Sequence, residues 1–167
     1  PSPWLNVIWN KEFKMMKYLS LPVLLGLCVV VQAKSPQHTV NGITLNDSLA
    51  KVQQQLGKPT RQSMTAPNEC NDDQPDMQLH YPGMLVTLSK GGNNQFSVSS
   101  IDITAASRSV SGVRIGDSAT QVKRVFGNGD TSNNVIVYDA APQSGQTYEF
   151  TLRGGKVSHI KFNSYMC

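Results

Sequence analysis

The sequence predicts an α+β fold made of two tandem repeats, each a short helix followed by about three antiparallel strands. Three observations lead to this prediction. The stretch 113–127 is nearly repeated at 43–57, stretches of alternating apolar residues follow each copy, and pairs of glycines separate those stretches. We place repeat one at 34–104 and repeat two at 105–167, and we expect them to form one compact two-repeat unit in which the two sheets are shared or abut.

The repeated stretch predicts one short helix in each half of the chain. In the first copy, Ser48 offers a side-chain oxygen to the backbone of a first helical turn. The apolar residues Leu49, Val52 and Leu56 recur at helical spacing, and Gly57 is typical of a helix end. A helix of about nine residues is marginal by itself, so we expect its apolar face to pack on another element.

The second copy has the same signals in the same order. Ser118 is the expected N-cap, and Gln121 stands three residues later, which is the spacing of a capping box. Val122, Val125 and Phe126 form the expected buried stripe. Because an Asp-Ser pair precedes the helix in both copies, we interpret the pair as a capping feature and not as catalytic.

In the second repeat, two alternating stretches are joined by a pair of glycines. Residues 147–153 and 157–162 each alternate apolar with polar side chains, and Gly154 and Gly155 form the turn between them. The apolar side chains of the shared face are those of Tyr148, Phe150, Leu152, Ile160 and Phe162. This pattern predicts a β-hairpin with one buried face.

The first repeat has the same plan with a longer turn at 91–94. The apolar residues on either side of that turn are Met84, Val86, Leu88, Ile101 and Ile103. An earlier strand at 78–81 corresponds to one at 136–138 in the second repeat. We therefore expect each sheet to have one face covered by the helix and the other facing solvent or a partner.

Two segments differ between the repeats and are expected to be loops. Residues 61–76 lack apolar periodicity, and residues 139–146 contain Pro and Gly. The first segment carries the acids Glu69, Asp72, Asp73 and Asp76. These side chains could offer oxygens to Ca²⁺, but their spacing lacks the glycine and the final glutamate of an EF-hand loop. We expect a solvated loop and no metal site.

Residues 15–33 are predicted to be a secretory signal peptide. Basic residues are followed by an apolar run at 19–31 and by a small-residue cleavage pattern that ends at Ala33. The apolar run is shorter than the roughly 20 residues of a membrane-spanning helix, so we expect no stable membrane span. Residues 1–14 are interpreted as a non-native upstream segment.

Cleavage at this site would change both the charge and the cysteine content. Removing 33 of the 167 residues would leave 134 and would lower the formal net charge from +4 to about +2. This small charge does not point to nucleic acid as a partner. Cys70 and Cys167 would remain in an oxidising compartment without any Cys-x-x-Cys spacing, so we predict a disulfide between them.

The sequence contains no residue pattern typical of catalysis. His38, His80 and His159 are far apart and lack a metal-ligand spacing, and there is no Gly-x-Ser-x-Gly motif. His159 alternates with Ile160 on its strand, which predicts a solvent-facing side chain. We therefore expect a protein without enzymatic activity, cofactor or metal.

Two motifs together resemble a known family. They are Gly-(Ile/Val)-x-(Leu/Ile)-(Asn/Gly)-Asp-Ser-x-x-x-Val-x-x-x-(Leu/Phe)-Gly, which occurs twice, and Phe-x-Leu-x-Gly-Gly-Lys-Val-x-x-Ile-x-Phe at 150–162. Over residues 40–162 the chain resembles the tandem helix-plus-sheet repeats of the β-lactamase-inhibitor-protein-like fold. A single copy is also similar to the small lipoproteins of the outer-membrane protein assembly machinery. The resemblance implies exported bacterial proteins that bind other proteins through exposed sheet faces and loops.

We accordingly expect a periplasmic or secreted protein-binding module whose partner is another envelope or secreted protein. The residues expected to contribute a contact surface on the solvent side of the sheets are Thr87, Glu149, Thr151, His159 and Lys161. One alternative is an envelope-assembly accessory protein held at the outer membrane by a lipid on Cys28, although Leu27 is larger than the residue that usually precedes a lipidated cysteine. Another, by analogy of fold, is a secreted hydrolase inhibitor.

Overall fold

The computed structural model describes residues 39–140 and 144–164, without the side chain of Cys70, and all of them lie in the unit Lys34–Cys167. Within these residues the α-helices are α1 (Leu49–Leu56) and α2 (Ala119–Phe126), and Glu69–Asn71 forms a 3-10 helix. The strands are β1 (Arg61–Met64), β2 (Met77–Tyr81), β3 (Met84–Lys90), β4 (Phe96–Ile103), β5 (Ser109–Val110), β6 (Val113–Arg114), β7 (Asp130–Ser132), β8 (Val135–Asp139), β9 (Gln146–Arg153) and β10 (Lys156–Ser164).

The prediction of an α+β fold with two helix-plus-three-strand repeats is wrong. The described chain is mostly β-structure, and eight of its strands form a single antiparallel sheet in the order β1-β2-β3-β4-β10-β9-β8-β7. β4 and β10 lie side by side at the centre of this sheet, so there are not two separate small sheets. β5 and β6 form an additional two-stranded hairpin.

The strands that were not predicted are short and lack apolar alternation. β1 lies within the segment 61–76 that was interpreted as a loop, and three of its four side chains are exposed. All three residues of β7 are exposed. Both strands are edges of the sheet, where polar side chains are favoured because they discourage pairing with other chains. A hydrophobic pattern therefore could not reveal them.

Both helices begin as predicted, and each is eight residues long. The Ser48 hydroxyl accepts a hydrogen bond from the Lys51 N–H, at 3.3 Å, and the Ser118 hydroxyl accepts one from the Gln121 N–H, at 3.1 Å. These bonds satisfy N–H groups that have no partner inside the first turn. Gly57 and Gly127 end the helices with positive φ angles of 73° and 86°.

The aspartates before the helices attach each helix start to a central strand. The main-chain carbonyl of Asp47 accepts a hydrogen bond from the Val98 N–H, at 2.9 Å, and the carbonyl of Asp117 accepts one from the Val157 N–H, at 2.8 Å. Each carboxylate also accepts a bond from the N–H three residues earlier, at 2.8 Å. The Asp-Ser pairs are thus used in building the two helix starts.

The hydrophobic core lies on one face of the sheet, which we call the covered face. Val52 of α1 and Val122 of α2 are fully buried and belong to the same cluster as the sheet residues. The largest fully buried side chains of the sheet are those of Phe150, Leu79, Leu88, Ile101, Ile103, Ile136 and Ile160. The buried stripe predicted for α2 is wrong in part, because Val125 is 37% exposed. Phe126 is half-buried, and its ring centroid lies 4.9 Å from that of Phe150.

Two tyrosines connect the covered face to the helix ends. The Tyr81 hydroxyl donates a hydrogen bond to the Gly57 carbonyl, at 3.2 Å, and the Tyr138 hydroxyl donates one to the Gly127 carbonyl, at 2.9 Å. Burial raises the pKa of both hydroxyls above the ordinary value of 10.0, because it disfavours the charged phenolate. Each neutral hydroxyl satisfies a carbonyl that has no partner inside its helix.

Candidate binding face

The face of the sheet opposite the helices has no element packed over it within the described residues, and we call it the open face. Strand alternation determines which side chains it presents. In β2, Leu79 is fully buried on the covered face, whereas Gln78 and His80 on either side of it are half-buried on the open face. The other long strands alternate in the same way. The open-face side chains of the inner strands are therefore mostly half-buried, whereas those of the edge strands β1 and β7 are mostly exposed.

One line of open-face residues crosses all eight strands, and we call it the central row. Each member is the direct pairing partner of the next, so all eight side chains point to the same side. In order across the sheet they are Arg61, His80, Leu85, Asp102, Lys161, Glu149, Val137 and Asp130. The row thus begins with a cation at one edge of the sheet and ends with an anion at the other.

Charges of opposite sign occupy matching places in the two halves of the central row. Arg61 on edge strand β1 corresponds to Asp130 on edge strand β7, and Asp102 on β4 corresponds to Lys161 on β10. Among the described residues, the acid–base pairs within 4.0 Å are Lys51 with Asp47 and His159 with Asp102, and the second is an ion pair only when the imidazole is protonated. The charges of Arg61, Lys161 and Asp130 are therefore not neutralised by close ion pairs in the described part of the chain.

A small polar cluster occupies the centre of the open face. Nε2 of His159 lies 3.1 Å from Oδ1 of Asp102, and the two side chains are 33% and 22% exposed. The Ser100 hydroxyl donates a hydrogen bond to the other carboxylate oxygen of Asp102, at 3.3 Å. Because Asp102 on β4 contacts His159 on β10, this cluster bridges the junction between the two central strands.

A second cluster lies at the β1 edge. A guanidinium nitrogen of Arg61 is 3.1 Å from Nε2 of His80, and the Ser63 hydroxyl is 3.2 Å from the same ring nitrogen. Arg61 has no acid within ion-pair distance among the described residues. This edge therefore offers hydrogen-bond donors and a positive charge to anything that covers it.

A second row of open-face residues runs beside the central row and is almost entirely polar and uncharged. Its members are again successive pairing partners, namely Ser63, Gln78, Thr87, Ser100, Asn163, Thr147 and Asp139. Hydroxyl and amide side chains can each donate and accept hydrogen bonds. The two rows together form a broad and mostly polar contact area.

The geometry of these clusters does not match a nucleophilic catalytic site. The Ser100 hydroxyl donates to the Asp102 carboxylate, whereas His159 lies on the other oxygen of that group, so the serine lacks the direct histidine contact of a Ser–His pair. Ser63 does lie beside His80, but the neighbour that orients that ring is the cationic Arg61, whereas a catalytic histidine is usually oriented by a carboxylate. In the described part of the chain, no group of three His, Cys, Asp or Glu side chains could hold a metal ion.

The acidic segment is an ordered loop that uses one of its acids internally. Asp76 accepts hydrogen bonds from the side-chain amides of Asn71 and Asn68, at 2.9 and 3.1 Å. Its N–H donates to the Thr65 hydroxyl, at 2.9 Å. Asn71 is 5% exposed, and no buried polar side-chain atom among the described residues lacks a partner. These contacts hold the two ends of the loop together.

A shallow groove of about 580 Å³ lies beside the start of α1. Its walls come from the first turns of that helix and from the β3–β4 hairpin, and its lining residues are Ser48, Leu49, Ala50, Gln53, Asn94, Gln95 and Phe96. No charged side chain lines it. The groove is open to solvent and is separate from the open face.

The structure places the five predicted contact residues on the open face. Thr87, Glu149, Thr151, His159 and Lys161 all alternate with buried residues of β3, β9 or β10. The sequence-based prediction missed Asp102, although its position between buried Ile101 and Ile103 indicates the solvent side of β4. It also missed Arg61, because β1 has no apolar pattern. His38, Cys28 and Cys167 lie outside the described residues.

Comparisons with known proteins provide little beyond this geometry. No family model and no curated protein sequence matches the chain. Among solved structures, it is similar to an extracellular protein containing an SCP domain from Bacillus anthracis, with a TM-score of 0.43 and 9% identity, over 73% of this chain. The chain spans 44% of the length of that protein. None of the helices in the described residues has the length and apolar character needed to cross a membrane.

Proposed function

We propose that this chain is an exported, non-catalytic protein-binding module that uses its open face for contact. The observation that carries the proposal is the central row, in which charged, polar and apolar side chains from eight strands lie in one line with nothing packed over them in the described residues. Charged and hydrogen-bonding groups in a fixed line can complement those of a partner, which sets the specificity of binding and the association rate.

The rigidity of the scaffold supports the same proposal. The open-face side chains of the six inner strands are carried by strands whose other face is in the core, and those of β1 and β7 by strands paired to this sheet, so the contact groups are preorganised before binding. Preorganisation lowers the entropy lost on association and favours recognition of a defined surface. Leu85 and Val137 add half-buried apolar area between the charged positions.

Export to the periplasm or the medium is part of the proposal and rests on residues 15–33. The described structure begins after this segment, so its support is the basic, apolar and small-residue order of the sequence. Amino-terminal sequencing of the exported protein should find Lys34 as the first residue. An amino terminus that retains 15–33, or a lipid on Cys28, would contradict this part of the proposal.

Site-specific photo-crosslinking tests the binding function. A photoreactive amino acid is introduced at Thr87 or Thr151 on the open face and, as a matched control, at Gln54 on the exposed side of α1. In cells that export the protein, we expect adducts with a protein partner, whether a second copy of this chain or a different exported protein, from the two open-face positions and none from Gln54. Equal adducts from all three positions, or adducts from Gln54 alone, would overturn the proposal.

A further inference from the structure

We infer that the open face binds the open face of a second copy of this chain, about a twofold axis that runs parallel to the strands between β4 and β10. The inference rests on the proposed function because it uses the same surface, and it specifies that the binding partner is a second copy of the chain. It is motivated by the opposite charges at matching places in the central row, which make that row complementary to itself when its direction is reversed.

Two simple twofold axes can place one open face against another, one parallel to the strands and one parallel to the central row. The charges favour the axis parallel to the strands. A twofold axis parallel to the strands reverses strand order, so Arg61 faces the partner's Asp130 and Asp102 faces the partner's Lys161. An axis parallel to the central row would instead place each charged residue over its own copy, with Arg61 against Arg61 and Lys161 against Lys161. Like charges that meet directly cost several kcal/mol of specificity, so the first arrangement is favoured.

Three further pairs in the two rows are compatible with the same axis. In the central row, Leu85 faces the partner's Glu149, where it can pack against the aliphatic part of that side chain. In the second row, Gln78 faces the partner's Asp139, and Ser100 faces the partner's Asn163. Each of these pairs joins a hydrogen-bond donor to an acceptor. No position in either row brings two like charges together.

The size of the open face sets the expected strength. Eight strands about 4.8 Å apart span roughly 34 Å, and a contact about three side-chain rows deep covers on the order of 600 Å² per copy. The total, about 1,200 Å², is at the lower end of specific interfaces. We therefore expect a weak dimer whose population depends on protein concentration.

A charge-reversal exchange tests the inference. In R61E the reversed side chain would face the partner's Asp130, and in D130R it would face the partner's Arg61, so each variant alone carries two repulsive contacts. Mixed in equal amounts, the two variants can form a heterodimer in which both contacts are attractive again. K123E on the exposed side of α2 is the matched control, because its charge lies away from the open face.

Sedimentation equilibrium of the purified exported proteins provides the measurement. We expect the wild type and K123E to dimerise with equal Kd, R61E and D130R each to raise Kd at least about tenfold, and the equimolar mixture to return to within about threefold of the wild type. An equimolar mixture of D102K and K161E is the same test at the centre of the row. It replaces the first mixture if R61E or D130R fails to fold, as judged by circular dichroism.

Three outcomes would overturn the inference: a wild type that is monomeric at every concentration, a dimer insensitive to all four reversals, or mixtures that stay monomeric. The first result together with photo-adducts to a different exported protein would leave the proposed function standing. A restored heterodimer with photo-adducts only to this chain would instead support the second copy and contradict a different partner.

Discussion

The Asp102 carboxylate on β4 lies 3.1 Å from the His159 ring on β10, across the junction at the centre of the sheet. Neither residue is near the other in sequence, and the strands that carry them come from different halves of the chain. The pair is therefore a direct contact between the halves on the open face, in addition to the main-chain hydrogen bonds between β4 and β10.

We expect a small but measurable coupling between these two side chains. In a double-mutant cycle with D102N and H159Q, the coupling free energy should be about 0.5 kcal/mol, because both groups are partly exposed. The measurement is urea denaturation, and the coupling should shrink in 1 M salt as charges are screened. D102N combined with H80Q is the control and should be additive, since Leu85 lies between those positions. A coupling that does not respond to salt would contradict the ion-pair interpretation.

The buried tyrosine hydroxyls should make the protein sensitive to alkali. Their pKa is raised in the folded state, so the stability from the neutral hydroxyls is fully present below pH 10.0 and is lost as pH rises through the folded pKa. We expect Tm to fall above pH 10.0 in the wild type and to fall less steeply in the Y81F/Y138F variant. At pH 8, each single substitution should lower the free energy of unfolding by about 1 kcal/mol through the lost hydrogen bond. If Tm falls equally steeply with pH in the wild type and in the double variant, the two hydroxyls are not the cause of the alkaline loss of stability.

Gly83, in the turn between β2 and β3, should not tolerate a side chain. Its φ angle is 70°, and an added Cβ would overlap the Cβ of Ala105. Gly112 is the matched control, because its φ angle is 85° but an added Cβ would meet nothing within 4 Å. We expect G112A to cost about 1 kcal/mol from backbone strain, and G83A to cost about 1–2 kcal/mol more from overpacking. Equal denaturation midpoints for the two variants would show that the overlap with Ala105 costs no stability.

The side chains of Cys70 and Cys167 are outside the described structure, so the predicted disulfide between them stays a prediction. It can be tested by peptide mapping and by substitution of the two cysteines. Peptide mapping of the exported protein without reductant should recover the two cysteines in one linked fragment. C70S, C167S and the double variant should all lose a similar stability, about 4 kcal/mol in the chain-entropy estimate for a loop of nearly 100 residues. Two free thiols by mass, or different losses in the two single variants, would exclude the bridge.

Local patterns predicted the parts of the fold that have one buried face. The alternation of Met84, Val86 and Leu88 identified β3, and Ser48 and Ser118 identified both helix starts. The edge strands were not predicted, because the side chains of Arg61–Met64 and Asp130–Ser132 are mostly exposed. Such residues give no pattern that distinguishes a strand from a loop. The two sheets were expected to be shared or to abut, but the strands that join them were not predicted, because β4 pairs with β10 between residues about 60 positions apart, which no local pattern encodes.

The candidate site was predictable to the same degree. Lys161 and His159 were placed on the correct face, since alternation along one strand is a local property. The central row was not, because its line of charges exists only once seven registers between strands are known. From the sequence alone, Asp102 would be expected to be a solvated aspartate. Its proximity to His159 and Lys161 is evident only from the pairing of β4 with β10.

The position of β10 also determines the order in which the protein can acquire its structure. β10 is the last strand in the described sequence, yet it pairs with β4 and β9 in the interior of the sheet. While the chain is synthesised from its amino terminus, β1 to β4 can form early, but β4 keeps an unsatisfied edge until residues 156–164 are available. Completion of the sheet is therefore delayed to the end of synthesis, and aggregation is most to be expected while that edge is open.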